Sequence, residues 1–231
     1  MYRKTTLRLL QNKMKKRNII ILISLILIAD QALKIYIKTH FQPGESRPIV
    51  RNWFQLYFIE NEGMAYGWKF GGQFGKLLLT LFRLAAVIFG VFYLKKIIEK
   101  KIHPGYIICV ALVFAGALGN LLDSLFYGLI FDKNSFETND IAHIFSGHGY
   151  SSFLHGNVVD MLYLPLYRTN ALPGWIPFAG GKPFSFFNYI FNIADASVSI
   201  GVIGILLFRR RFFKTEIDDL PENNSILLDN N

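Results

Sequence analysis

Four apolar segments, at 18–37, 77–94, 106–127 and 188–208, restrict this chain more than any other feature of its sequence. A helix needs roughly 20 mainly apolar residues to cross a ~30 Å hydrocarbon core, and each segment reaches or nearly reaches that length. Polar material is too scarce for a water-facing globule. Only 18% of the 231 residues are charged and 52% are hydrophobic, against about 25% charged in soluble domains. Disordered, coiled-coil and collagen-like chains are excluded on the same ground, and the fold class is an α-helical polytopic membrane protein with four transmembrane helices. The first segment has a second reading as a cleaved secretory signal, because Lys15-Lys16-Arg17 precede the apolar core 19–29. Three further spans follow it, and cleavage near Ala32 would discard Asp30, so the spanning reading is preferred.

The net charge of +9 does not point to nucleic acid, since Lys and Arg punctuate apolar runs and do not line a solvated face. Their distribution instead sets an orientation. Segments 1–17, 95–105 and 209–231 hold 15 basic residues in 51 positions, and segments 38–76 and 128–187 hold 8 in 99. Short cytoplasmic loops collect basic residues, which places both termini in the cytoplasm. The organisation expected is a cytoplasmic segment 1–17, a four-helix membrane domain 18–208, and a cytoplasmic, disordered tail 209–231. Cys109, the single cysteine, lies in an apolar run, so neither a disulfide framework nor a multi-cysteine metal site is available.

The outside segments carry structure of their own. Residues 48–60 are aromatic and β-branched and read as strand, with Trp53, Tyr57 and Trp68 suited to an interfacial belt. Segment 128–187 is long and rich in Gly, Pro, Phe and Tyr, which predicts short strands and turns. Long ordered loops are frequently functional.

A carboxylate in a membrane span costs several kcal/mol by insertion scales, so each needs a reason. Asp30, Asp123 and Asp195 all fall toward the outer ends of their spans, with Asp195 about two turns below the start of the fourth. Asp160, in the short apolar run around Val158-Val159, can reach the same depth. Asp30 and Lys34 share one helix face at i,i+4 and can neutralise each other. Four acids at one level are harder to neutralise, because the spans contain only Lys34 and Arg83 as cations. At least one carboxyl pair sharing a proton is therefore expected, with one acid kept protonated while the other activates water.

The third span places Gly116, Asn120 and Asp123 on one face by spacings of four and three, and its small residues permit close helix approach. Asn192 and Asp195 repeat an Asn–Asp pair at i,i+3. Asn61-Glu-Gly-Met-Ala-Tyr-Gly67, beside the membrane, either binds a substrate backbone or closes a turn. Arg83, in mid-helix, pairs with an acid or snorkels to the interface, and its position favours snorkelling. His143, His148 and His155 match no metalloprotease spacing. Serine-hydrolase and phosphate-loop motifs are absent from the sequence.

Taken in order, Asp30-Gln-Ala-Leu-Lys34, Asn61-Glu-Gly-Met-Ala65, Gly116-Ala-Leu-Gly-Asn-Leu-Leu-Asp123, Val158-Val-Asp160 and Phe191-Asn-Ile-Ala-Asp195 resemble the motifs of the lipoprotein signal peptidases (signal peptidase II), bacterial membrane aspartyl peptidases. The resemblance spans roughly residues 18–208. It implies a small extracytoplasmic β-cradle and mobile cap over the site, and cleavage of prolipoproteins just before the diacylglyceryl-modified cysteine. The site would face the outer side of the inner membrane. It puts the catalytic dyad on Asp160 and Asp195. Asn61, Gly63, Gly116, Asn120, Asp123 and Asn192 would bind substrate or position the dyad, and Asp30 and Lys34 would be structural. The expected enzyme uses no cofactor and no metal, works in membrane lipid as a monomer, and binds no nucleic acid.

Two departures from the family pattern stand out: Ser124 occupies a position where arginine is usual, and the outside segment is lengthened at 129–156 and 165–187. A small proton-coupled transporter using the acids as a relay is the alternative; transporters more often show repeated halves and midplane sites, and neither is visible here. A catalytically silent assembly factor is a third reading.

Overall fold

The computed structural model describes residues 16–51, 53–62, 72–165, 167–175, 177, 180–186 and 189–213. Among the described residues, three helices are long and apolar enough to cross a membrane: α1 (Lys16–His40), α2 (Gly72–Glu99) and α3 (Pro104–Ile130). A fourth, α4 (Ile193–Leu207), is apolar and shorter, and a single turn, α5 (Arg209–Phe212), follows it. The strands are β1 (Ser46–Val50), β2 (Phe54–Asn61), β3 (Val158–Tyr163), β4 (Tyr167–Thr169), β5 (Phe184–Phe186) and β6 (Ile190–Phe191).

Large apolar side chains such as Ile20, Leu25, Ile28, Phe82, Phe89, Phe92, Leu206 and Leu207 point outward from the helices. In water that surface would be a liability; in lipid it is the expected solvent-facing side. The polar and small residues turn inward. Along α3 the buried face runs through Ala115, Gly116, Gly119, Asn120, Asp123 and Ser124. Gly116 permits the approach of α4: a Cβ there would meet the Ala194 carbonyl oxygen at 2.2 Å. Farther along the same crossing, a Cβ at Gly201 would lie 2.5 Å from the Cys109 carbonyl oxygen. Backbones this close gain dispersion contacts that larger side chains would prevent.

Two expected boundaries shift. Residues 48–60 form a hairpin of β1 and β2, where one strand was expected, and Arg51 takes a positive φ of 46° at the break. The fourth span, expected over 188–208, begins only at Ile193, because Ile190 and Phe191 are drawn into β6 against Tyr163 and Leu162. Asn192 then starts the helix with a capping box: its side chain accepts from Asp195 N, and Asp195 accepts from Asn192 N. Asp195 consequently sits in the first turn, not two turns down.

The main sheet has the order β1-β2-β3-β6. A one-residue register shift lies between Leu56 and Ile59, after which Ile59 opposes Asp160 and Asn61 opposes Val158. Directly opposed residues share a face, so the bulge puts Asn61 on the Asp160 side and Glu60 on the other. Of the outside segment 128–187, β3 joins this sheet and β4 pairs with β5. Of segment 209–231, the short helix α5 is ordered, with Phe212 against His103 and Tyr106; residues 214–231 and 1–15 lie outside the described residues.

Candidate active site

One end of the bundle gathers the four acids that the sequence singles out. On α1, Asp30 and Lys34 are one turn apart and fully buried. Lys34 Nζ lies 2.9 Å from Asp30 Oδ2, 2.7 Å from Asp123 Oδ2 and donates to Asn120 Oδ1 at 2.8 Å. An ammonium has three protons, and this one has three acceptors. Asp30 also accepts from Ala194 N at 2.8 Å through its other oxygen, which ties α1 to the first turn of α4. Gln31 adds a bond to Asp123 Oδ1 at 2.8 Å and receives one from the Tyr127 hydroxyl at 3.1 Å.

Asp160 and Asp195 are held differently. Asn192 Nδ2 donates to Asp160 Oδ1 at 2.7 Å, and Asn120 Nδ2 donates to Asp195 Oδ1 at 2.7 Å. The two amides meet through Asn192 Nδ2 and Asn120 Oδ1 at 3.1 Å. The result is a continuous path from Asp160 through Asn192 and Asn120 to Asp195. Asn61 also hydrogen-bonds Asp160. Burial, and after it the negative charge of Asp195, push the Asp160 carboxyl up to about 8 despite Lys34 and the two asparagines.

The remaining candidates fall at varied distances from this centre. Gly116 packs under it against α4, whereas Gly63 and Trp68 lie outside the described residues. Trp53 is half-exposed, and Tyr57 stacks edge-on against Tyr163. His143 pairs with Asp132 at 3.1 Å, and His155 bonds Ser152 and the Phe153 carbonyl at 3.0 Å, each within its own loop. Arg83 does not snorkel. It lies between Thr80 and Val87, both buried on the inner face of α2, and donates from Nη1 to Ser124 Oγ at 3.0 Å.

Three features escape the sequence reading. Gln31 and Tyr127 complete the Asp123 environment, and a second polar cluster joins Lys38, Glu60, Asn157 and Lys76 on the far face of the sheet. The signal for the last was a polar stripe: Asp30, Lys34 and Lys38 recur every four residues along an apolar helix.

A helical bundle exposing apolar surface, with a carboxyl pair of which Asp160 is buried and Asp195 partly buried, bridged by amides beneath a small sheet, defines a membrane protein of enzymatic type. Two solved structures of bacterial membrane enzymes, determined by the in meso method, share this fold. One has a TM-score of 0.54, 24% identity and coverage of 87% of this chain and 93% of its own; the other has 0.53, 23%, 87% and 96%. The sequence model described as signal peptidase (SPase) II matches residues 22–211. A lipoprotein signal peptidase of Porphyromonas gingivalis is 42% identical over 209 residues, covering 88% of this chain and 89% of the relative. One from Amoebophilus asiaticus is 31% identical over 189 residues, covering 80% and 75%. The chain belongs to the signal peptidase II family. It is a peptidase, and the transporter alternative has no support from these comparisons.

Proposed function

We propose that this protein removes signal peptides from prolipoproteins, cleaving before a diacylglyceryl-modified cysteine, with Asp160 and Asp195 as the catalytic dyad. The observation that carries the reading is the amide path Asp160–Asn192–Asn120–Asp195, which fixes the two carboxyl groups relative to each other. Asn120 and Asn192 position the dyad, and Asn61 supports Asp160. Asp123, Asp30, Lys34 and Gly116 hold the helices that carry it.

At neutral pH the pair holds one proton, and it resides on Asp160, whose carboxyl is pushed up to about 8. Asp195 lies at the N3 position of α4, where it accepts hydrogen bonds from Asn120 Nδ2 and Asn192 N. Asp195 takes a proton from water as the water oxygen attacks the scissile carbonyl carbon, and Asp160 gives its proton to the carbonyl oxygen. The tetrahedral diol then collapses: Asp195 passes its proton to the amide nitrogen, the C–N bond breaks, and Asp160 recovers a proton from the diol. Two carboxyl groups and one water suffice for this balance.

The distribution of basic residues supports both termini in the cytoplasm and the dyad toward the outer face of the bacterial inner membrane. A lipid-anchored cysteine delivers its scissile bond to that level. The protein acts as a monomer in membrane lipid. The test is cleavage of a diacylglyceryl prolipoprotein by the purified protein in detergent, with and without EDTA. Cleavage that persists in EDTA and is lost in Asp160→Asn and Asp195→Asn is expected; undiminished cleavage by both variants would sink the dyad.

A further inference from the structure

Arg83 is the one charged residue between Lys76 and Lys95 on α2, and its helix turns it inward. Its guanidinium meets Ser124 Oγ at 3.0 Å, and the same hydroxyl donates to the Asn120 carbonyl at 3.1 Å. Asn120 is the residue that holds Asp195. The charge of Arg83 interacts with Asp123, Asp195 and Asp160 together. Position 124 is a serine, and its short side chain meets the guanidinium that reaches it from the neighbouring helix.

We propose that Arg83 is a positioning residue of the dyad, supplying from α2, through Ser124, the positive charge that lets Asp160 and Asp195 share a single proton near neutral pH. The inference rests on the dyad reading given above. The charges around the pair make the need concrete. Asp30, Lys34 and Asp123 face it from α1 and α3, Asn61 from β2, and Arg83 from α2. Lys76, Glu60 and Lys38 are engaged on the other side of the sheet with Asn157, and His155 is turned to Ser152. With one proton on the dyad, three negative charges face the two cations Lys34 and Arg83. A neutral residue at 83 leaves three against one, and a carboxyl pair that loses a nearby cation holds its protons to higher pH.

The experiment is the pH profile of kcat and KM for cleavage of a synthetic diacylglyceryl-cysteine peptide by the full chain in detergent. In Arg83→Gln and Arg83→Met, both limbs of the profile move up by about one pH unit, and kcat at neutral pH falls ~10-fold while KM stays within about twofold. Arg83→Lys keeps the charge and retains the wild-type profile. Neutral variants with unshifted limbs overturn the proposal, as does a lysine variant that shifts with them. Failure of both neutral variants to fold, judged by gel filtration and thermal melting, overturns it in favour of a packing role. Asp160→Asn and Asp195→Asn separate the two levels. If both still cleave, the dyad reading falls and this one with it; if both are inactive and the arginine variants are unshifted, only the role of Arg83 falls.

Discussion

Two pairs of aspartates, three of the four residues buried and Asp195 partly so, sit within one end of this bundle, and they are built on opposite plans. Between Asp30 and Asp123 stands a lysine, with all three ammonium protons used. Between Asp160 and Asp195 stand two asparagine amides. A buried cation offsets part of the desolvation of two carboxylates and ties both to one point. An amide orients a carboxyl and leaves its proton free to move. The difference separates a pair that holds helices together from a pair arranged for proton transfer, although all four residues are the same amino acid at similar depth.

The largest effect is expected at the second pair. Asp160→Asn and Asp195→Asn each lower the cleavage rate by at least about 10³-fold, the scale seen when a member of a catalytic unit is removed. Melting temperature in detergent stays near wild type, because an amide fits a site already lined by amides. A large drop in melting temperature with residual cleavage would erase the contrast.

The mirror experiment is Lys34→Met. Removing one partner of a buried ion pair costs about 3–5 kcal/mol, and here two carboxylates lose their cation. Thermal or denaturant unfolding should register that loss first, and adding Asp123→Asn to Lys34→Met should recover part of it. A Lys34→Met protein that melts like wild type yet cannot cleave would move the lysine into the catalytic machinery.

How much of this contrast could be read from the chain depends on distance along it. The spans, the four acids and their common depth are local features, and hydropathy with helical spacing exposes them. The partners are not local: Gln31 meets Asp123 across 92 positions, and Asn192 meets Asp160 across 32. An arginine in an apolar helix, as Arg83 is, has two solutions, outward to the interface or inward to acids. Packing of the Thr80–Val87 face against its neighbours decides between them, and no periodicity in α2 alone reveals it. The late start of α4 was legible in retrospect, since Asn192 and Asp195 have capping-box spacing, but the competing pull of β6 on Ile190 and Phe191 arises from β3.

Gly116 tests whether the second pair depends on the helix crossing beneath it. In Gly116→Val the new side chain would collide with the Ala194 carbonyl oxygen and with Val198 Cγ2, at 2.2 and 2.6 Å from the added Cβ. Overpacking of this kind costs about 1–3 kcal/mol. Since α4 carries Asn192 and Asp195, a displacement near 1 Å should lower cleavage by ~10²-fold. Kinetics and melting measured on the same preparation check both numbers, and intact cleavage would detach the dyad from this crossing.

Acidity distinguishes the pairs without changing their packing. The Asp160 carboxyl, pushed up to about 8, binds its proton more tightly in the fold than in the unfolded chain. Its contribution to stability is therefore fully present at low pH, below the ordinary carboxylate range near 4, and is lost as pH rises through 8, with a slope of at most about 1.4 kcal/mol per unit. Melting temperature followed from pH 5 to pH 9 should fall in wild type and flatten in Asp160→Asn. Equal slopes in the two proteins would mean that Asp160 does not carry the proton.

The smallest expected effect probes the outer support of the first pair. The Tyr127 hydroxyl donates to Gln31 Oε1 at 3.1 Å, which aims Gln31 Nε2 at Asp123 Oδ1. Tyr127→Phe removes that bond and leaves the ring packed edge-on against Phe131. A net loss of about 1 kcal/mol in stability follows for one such bond, with the Gln31 oxygen left without its donor. Cleavage at neutral pH should change by no more than about twofold, because Lys34 still holds Asp123 and the amide path to the dyad is untouched. A larger loss of activity at unchanged melting temperature would show that the two carboxylate pairs are coupled through Asp123 and work as one unit.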